Sequence, residues 1–392
     1  MKFDFLNSNY NNLTEPSLGP VIMNEIFANP DLLDVKAPYW PTAFTLSPNP
    51  IITEGEGNAS FTVKARYPEH AMMMDMRAPL TGGRLAEEGE EYTYSGSIAD
   101  FIAPVWQEKA SERQYKEKLF AKYGNDAALI QGYAQNVLRP RIEAGNMALD
   151  YMAVMAETRG FVKYDKGKGV KSTLYKADIP EENFVKAGAK VWNSPDCLLL
   201  DQMAQIEDEA KERFGREFAM QWKIDEKMFK DVFLKNKQVI EYIKLGWLAQ
   251  NGQLISQLDA APNSLITEEN FNRYVVGTYP GLSPIKIVKV RVYDTKTLVN
   301  PWPDGIATLA PAGYSGEVLR TNIQDEEVYT RFGNKACDFA FARTGNGLFL
   351  VMNSTLPDGA LKMWQTKVFM SAVPVITDWL FRTIVNTKEA TA

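Results

Sequence analysis

Apolar residues recur at helical spacing over one stretch more clearly than anywhere else. From Ala127 to Gly160, the residues Ile130, Ala134, Val137, Ile142, Leu149, Met152 and Met155 return at roughly the period of one helix face. Asn125 and Asp126 precede them as capping residues, and Gly160 supplies a left-handed stop. At ~1.5 Å per residue this stretch would span roughly 50 Å. Pro140 sits inside it, lacks an N–H, and is expected to bend it. A shorter helical pattern, Trp106 to Tyr123, leads in. Two more follow: Asp196, behind Ser194-Pro195, to Phe214, and about Glu226 to Asn251, with Met228, Val232, Val239, Ile243 and Trp247 on one face. Phe218–Trp222 reads as a short strand between them. Strand-like stretches flank Lys166-Gly167-Lys168-Gly169, so Phe161–Asp178 reads as a hairpin. The C-terminal third alternates, over Ile285–Tyr293, Gly305–Pro311, Phe339–Phe341, Leu348–Met352 and Thr366–Val375. The class is α+β, with one dominant helix.

The first 70 residues lack a period. Pro16, Pro20, Pro30, Pro38, Pro41, Pro48 and Pro50 are scattered among Phe3, Phe5, Ile22, Ile26, Trp40 and Phe44. Proline opposes helix interiors and central strands, while a disordered tail would lack the large apolar residues. The expectation is an extended arm held by partners, with Trp40 and Phe44 exposed when neighbours are absent. Residues 71–104 read as a two-stranded excursion with a polar tip, which is not stable alone in water. Arg77, Arg84, Glu87, Glu88, Glu90 and Glu91 lie in it, and a neighbouring subunit would complete their charge pairs.

Composition narrows the functional classes. The chain has 392 residues, enough for two or three domains or one fold with large insertions, and its 45% apolar and 23% charged residues are globular proportions. Lys plus Arg is 43 against 49 for Asp plus Glu, a net charge of −6. Phosphate binding needs a basic face, so sequence-specific nucleic-acid recognition is not expected, and room is left for a local patch alone. Cys197 and Cys337 stand too far apart for a disulfide framework or a zinc site and read as buried free thiols. Neither a signal peptide nor a membrane span is legible. His70 is the sole histidine, Gly313-Tyr314-Ser315-Gly316 misses the nucleophile-elbow spacing, and Lys166–Ser172 lacks the phosphate-loop spacing. No catalytic residue, metal ligand or cofactor site is assigned. This pattern favours a structural or assembly protein over an enzyme.

The order of elements resembles the major capsid protein of tailed bacteriophages, with the Hong Kong 97 fold, and most nearly its lambda-type major head proteins. Ala78-Pro79-Leu80 with Gly82-Gly83 resembles the extended loop of that family, Ala127–Gly160 its spine helix, and Phe218–Asp225 its entry to the axial domain. Val290–Tyr293, Asn300–Gly305 and Ile306–Pro311 resemble a strand, loop and strand, and Phe369–Val375 the C-terminal strand. The resemblance implies an N-terminal arm (1–70), an extended loop (71–104), a peripheral domain with spine helix and hairpin (105–185), an axial domain with returning peripheral strands (186–365) and a C-terminal peripheral strand (366–392). It implies self-assembly into hexamers and pentamers of an icosahedral head enclosing double-stranded DNA. It further implies a place in the virion after assembly in the host cytoplasm, with portal, scaffold or protease and decoration proteins as partners. In that family the spine flexes as the shell expands, which would make Pro140 a hinge. The runners-up are an encapsulin-type nanocompartment shell protein and a hydrolase using clustered carboxylates.

Overall fold

The computed structural model describes residues 7–51, 59–66, 91–164, 172–194, 196–214, 219–251, 265–294, 297–321, 339–358 and 361–390. The arm is folded rather than extended. It forms α1 (Asn9–Asn12), α2 (Gly19–Ala28) and α3 (Pro30–Leu33), a 3-10 turn over Trp40–Thr42, and strand β1 (Phe44–Leu46). Three of its prolines, Pro20, Pro30 and Pro41, start helical turns instead of blocking them. Pro20 and Pro30 occupy first-turn positions, where a missing N–H leaves no bond unmade, and the Asn29 side chain caps α3 by accepting from the Asp31 N–H. Trp40 and Phe44 are 6% and 1% exposed within their own chain, which corrects the expectation that they need neighbours for cover.

Strands β2 (Ala59–Arg66) and β3 (Glu91–Ile98) pair antiparallel from Ala59↔Ile98 to Arg66↔Glu91. The excursion therefore starts at Ala59, not at residue 71. Arg77, Arg84, Glu87, Glu88, Glu90 and His70 lie outside the described residues. Glu91 pairs with Lys64 of its own ribbon at 2.7 Å. Short strands β4 (Asp100–Ile102) and β5 (Trp106–Gln107) then join a sheet, so Trp106 is a strand residue and helix α4 runs over Ala110–Tyr123.

The long helix is continuous through α5 (Asp126–Tyr133), a π-helical turn (Ala134–Leu138) and α6 (Arg139–Arg159). Asn125 caps it by accepting from the Ala128 N–H, and Gly160 ends it at φ 69°. Pro140 falls in the first turn of α6, just after the π turn. It has no N–H to give the Asn136 carbonyl, and the helix is widened just before it, with the Arg139 N–H bonding to the Ala134 carbonyl.

Strands β6 (Phe161–Tyr164) and β7 (Ser172–Lys176) form the expected hairpin, whose tip is outside the described residues. After β8 (Phe184–Ala187) come α7 (Leu199–Phe214), β9 (Met220–Asp225), α8 (Glu226–Met228) with a π turn over Phe229–Phe233, α9 (Lys237–Gln250) and α10 (Glu268–Asn270). The single helix expected over 226–251 breaks because Asn236 caps a new one, accepting from the Val239 N–H. The rest is β10 (Ile285–Val288), β11 (Val292–Asp294), β12 (Thr297–Val299), β13 (Ile306–Pro311), β14 (Gly316–Arg320), β15 (Phe339–Arg343), β16 (Phe349–Asp358), β17 (Leu361–Ile376) and β18 (Thr383–Ala390). The alternation over 285–293 divides: β10 enters a sheet, while β11 pairs, among the described residues, with β12 alone.

Two large sheets organise two cores. One has the order β1-β14-β17-β16-β15, with β4 and β5 also on β17, and the other β10-β9-β13-β18-β8. The smaller sheet β2-β3-β7-β6 carries the ribbon. In the first core, Leu149, Met152 and Ala153 of α6 pack with Val368 and Met370 of β17 and with Leu13, Met23 and Ile26 of the arm. The second holds Leu200, Met203, Trp222, Phe233 and Ile243. A smaller cluster sets Val154 against Val288, Val290, Val292 and Trp302. From Met152 to Thr158 every residue of α6 is buried, because the helix passes between elements on all sides.

Candidate functional site

A helix buried all round must satisfy any charge it carries, and α6 carries two carboxylates there. Glu157 is wholly buried and receives three donors: Lys223 Nζ on β9 at 2.5 Å, Ser315 Oγ beside β14 at 2.6 Å, and Tyr39 Oη of the arm at 2.6 Å. Lys223 Nζ also donates to Ser315 Oγ at 2.9 Å. Arg382, wholly buried before β18, donates to the Glu157 carbonyl at 3.4 Å and holds Asp378 through Nε at 3.1 Å and Nη2 at 2.5 Å. Burial would push the Glu157 carboxyl up, but Lys223 and Arg382, with hydrogen bonds from Lys223 and Ser315, hold it down at about 2.

Two turns earlier, Asp150 Oδ1 accepts from the Trp40 N–H at 2.8 Å, and Asn146 Oδ1 from Trp40 Nε1 at 3.1 Å. Arm, long helix and both large sheets therefore meet at one polar knot. Ser315 beside Lys223 has the outline of a serine–lysine pair, but the ammonium donates to both Glu157 and Ser315, and the Ser315 proton is directed at Glu157. Glu157, Lys223 and Ser315 are at most 2% exposed, so no substrate reaches them. The arrangement fixes the geometry of the junction. Among the described residues, no group of three or more His, Cys, Asp or Glu is placed to hold a metal, and no helix is long and apolar enough to cross a membrane.

Of the residues singled out in the sequence, the structure brings Trp40 into this knot and Phe44 close behind it on β1, while Glu91 lies away on the ribbon. Glu157, Lys223, Asp150, Asp378 and Arg382 were not anticipated. Their signal was present as charges inside apolar runs: Lys223 within Met220–Ile224, Glu157 after Met152–Ala156, and Asp378 and Arg382 where they interrupt the C-terminal apolar stretch.

Asp150 offers a pH test. Burial raises its carboxyl to about 6 against the pull of the Trp40 and Tyr39 N–H groups. A carboxyl raised on folding retains a proton that the unfolded chain has released, so its contribution to stability falls as pH rises from about 4 through 6. Asp150→Asn keeps an oxygen for the Trp40 N–H and removes the buried charge. We expect the variant to gain ~1–3 kcal/mol over the parent at pH 7.5 and almost nothing at pH 4.5. Urea melts of both at the two pH values check this, and parallel profiles would refute it.

No protein-family model matches the sequence, and no curated protein matches it. Among solved structures the chain is similar to a putative capsid protein of an E. coli prophage, at 15% identity and a TM-score of 0.45, covering 84% of this chain and 77% of that one. It is also similar to a phage-related protein from Bordetella bronchiseptica, at 12% identity and a TM-score of 0.44, covering 94% and 97%. A third is the mature capsid of bacteriophage PhiM1, at 7% identity and a TM-score of 0.41, covering 91% and 88%.

Proposed function

We propose that the chain is a major capsid protein of a tailed phage, a non-catalytic subunit that assembles through hexamers and pentamers into a shell around double-stranded DNA. The observation that carries this is the ribbon. β3 meets β7 at Gly96↔Tyr175, where Phe61, Tyr94 and Tyr175 pack together. Beyond that anchor, residues 62–66 and 91–95 pair with each other and with no other strand among the described residues. One face of the ribbon lies on its own chain, with Tyr94 in the first core and Val63, Ala65 and Tyr92 against it; the other face, with Thr62, Lys64, Thr93 and Ser95 exposed, is the one a second copy of the chain would meet. Exposed Ile102, Val105, Phe184, Tyr293 and Leu298 add apolar area suited to repeated contacts. The order of arm, ribbon, long helix, hairpin, helix–strand–helix block and strand-rich end is also that of the family the sequence resembles.

In this reading the core around α6 and β17 is the peripheral domain and the core around α7, β9 and α9 the axial domain. The protein resides in the virion after assembly in the host cytoplasm, with portal, scaffold or protease and decoration proteins as further partners. Light scattering tests the reading. The parent is expected to form megadalton particles or their capsomers, and a variant with residues 67–90 replaced by a short Asn-Gly turn to fold but assemble poorly. A stable 44.1 kDa monomer of the parent at high concentration would overturn the shell assignment, and normal particles from the shortened variant would overturn the role of the ribbon.

A further inference from the structure

Helix α4 stands apart from the acidic rest of the chain. Residues 109–123 carry five basic and two acidic side chains, in a protein of net charge −6. Phe120 is its one buried residue. One side is tied down: Arg113 donates to Asn11 at 2.7 Å, and Lys116 reaches Glu108 at 2.6 Å and the Tyr10 hydroxyl. The other side is open. Ser111, Gln114, Tyr115, Lys118 and Lys122 are all exposed and fall on one face at helical spacing, with Tyr115 63% exposed.

Neither glutamate of the helix neutralises that face. Glu112 accepts from the Lys109 N–H at the helix start, and Glu117 pairs with Arg113 at 3.6 Å. Lys118 and Lys122 have no ion pair among the described residues; Lys122 lies over the Tyr123 ring at 4.9 Å. A row of Ser, Gln, Tyr and Lys without an acid contains the side chains that contact nucleic-acid phosphates, and it reads no base. A protein partner fits less well, since lysine is depleted from the centres of protein interfaces and none of Ser111, Gln114, Tyr115, Lys118 and Lys122 is aliphatic.

We propose that the outward face of α4, through Lys118, Lys122 and Tyr115, contacts the phosphate backbone of double-stranded DNA without sequence preference. This rests on the shell reading and assigns the side of the subunit that meets the packaged genome. It also locates the local basic patch that the overall charge leaves room for.

The test is fluorescence anisotropy of a labelled duplex of about 30 base pairs with full-length protein, from 50 to 200 mM salt. Two lost phosphate contacts should flatten the slope of log K against log salt by ~1.8 for Lys118→Gln/Lys122→Gln. Over that salt range the parent then loses ~10-fold more affinity than the variant. Lys230→Gln/Lys235→Gln, whose lysines pair with Glu226 and Asp231 on another face, serves as control and should match the parent. No duplex binding by the parent at 50 mM salt, an unchanged slope in the α4 variant, or an equal loss in the control would each overturn the proposal. Particle mass is measured alongside. Failure of the parent to form particles sinks the shell reading, while the titration still decides the α4 face.

Discussion

Glu157→Ala is expected to destabilise the unassembled subunit by ~3–5 kcal/mol, because it strands a buried ammonium. Lys223 is 1% exposed, and Glu157 is its one ion-pair partner among the described residues. Without the carboxylate, Lys223 retains Ser315 alone of its present hydrogen-bond partners, and the Tyr39 hydroxyl loses its acceptor. Removing both charges should be far milder. Glu157→Leu/Lys223→Met leaves two hydroxyls without their acceptor but no buried charge, and we expect it to recover most of the loss. Urea unfolding of the two variants and the parent measures this directly. A single variant within 1 kcal/mol of the parent, or a double variant no better than the single, would show that the pair does not hold the junction. The pH dependence has a definite sign. Glu157 is held at about 2, below the ordinary carboxylate range, so its stabilisation is present above about pH 4.5 and drains away as pH falls towards 2. Asp150, on the same helix, pulls the opposite way over a higher window. The parent should therefore be most stable in mildly acidic solution, with Asp150→Asn removing the fall towards neutrality.

The long helix was legible because its ends are local chemistry: Asn125 accepts from an N–H three residues on, and Gly160 takes a backbone conformation that costs other residues energy. The π turn ahead of Pro140 is local too, but proline signals only a disturbance and not which widening absorbs it. The break at Asn236 was readable in principle, since an asparagine before Lys237–Gln250 is a start signal inside an apolar period that otherwise runs on. What the sequence hid is long-range. Glu157 gains its meaning from Lys223, Ser315 and Tyr39, which are 66, 158 and 118 positions away. A charge inside an apolar run is a break in the pattern until its partner is placed. The arm is hard to read for a related reason: proline at a helix start and proline in an extended chain look alike in sequence, and only the capping residue, here Asn29 before Pro30, tells them apart.

Trp40→Ala separates the two accounts of that arm. If partners held the arm, the free subunit would be indifferent to the loss and only assembled particles would suffer. In the structure Trp40 is buried inside its own chain, its N–H and Nε1 are bound to Asp150 and Asn146, and β1 follows two residues after the 3-10 turn to pair parallel with β14 from Phe44↔Gly316. Truncating a buried tryptophan costs ~3–5 kcal/mol through lost transfer energy and the cavity left behind. Asn146, 8% exposed, would lose the indole donor as well. The neighbouring cleft between the arm, α6 and the loop at Thr344–Asn346, about 710 Å³, would open into that space, so repacking has little to draw on. We therefore expect the loss in full in the unassembled subunit, seen as a lower urea midpoint with an unchanged slope. Trp40→Phe, which keeps most of the volume and loses the indole N–H, should fall between. A free subunit of Trp40→Ala with parental stability, combined with failure only on assembly, would return the arm to its partners.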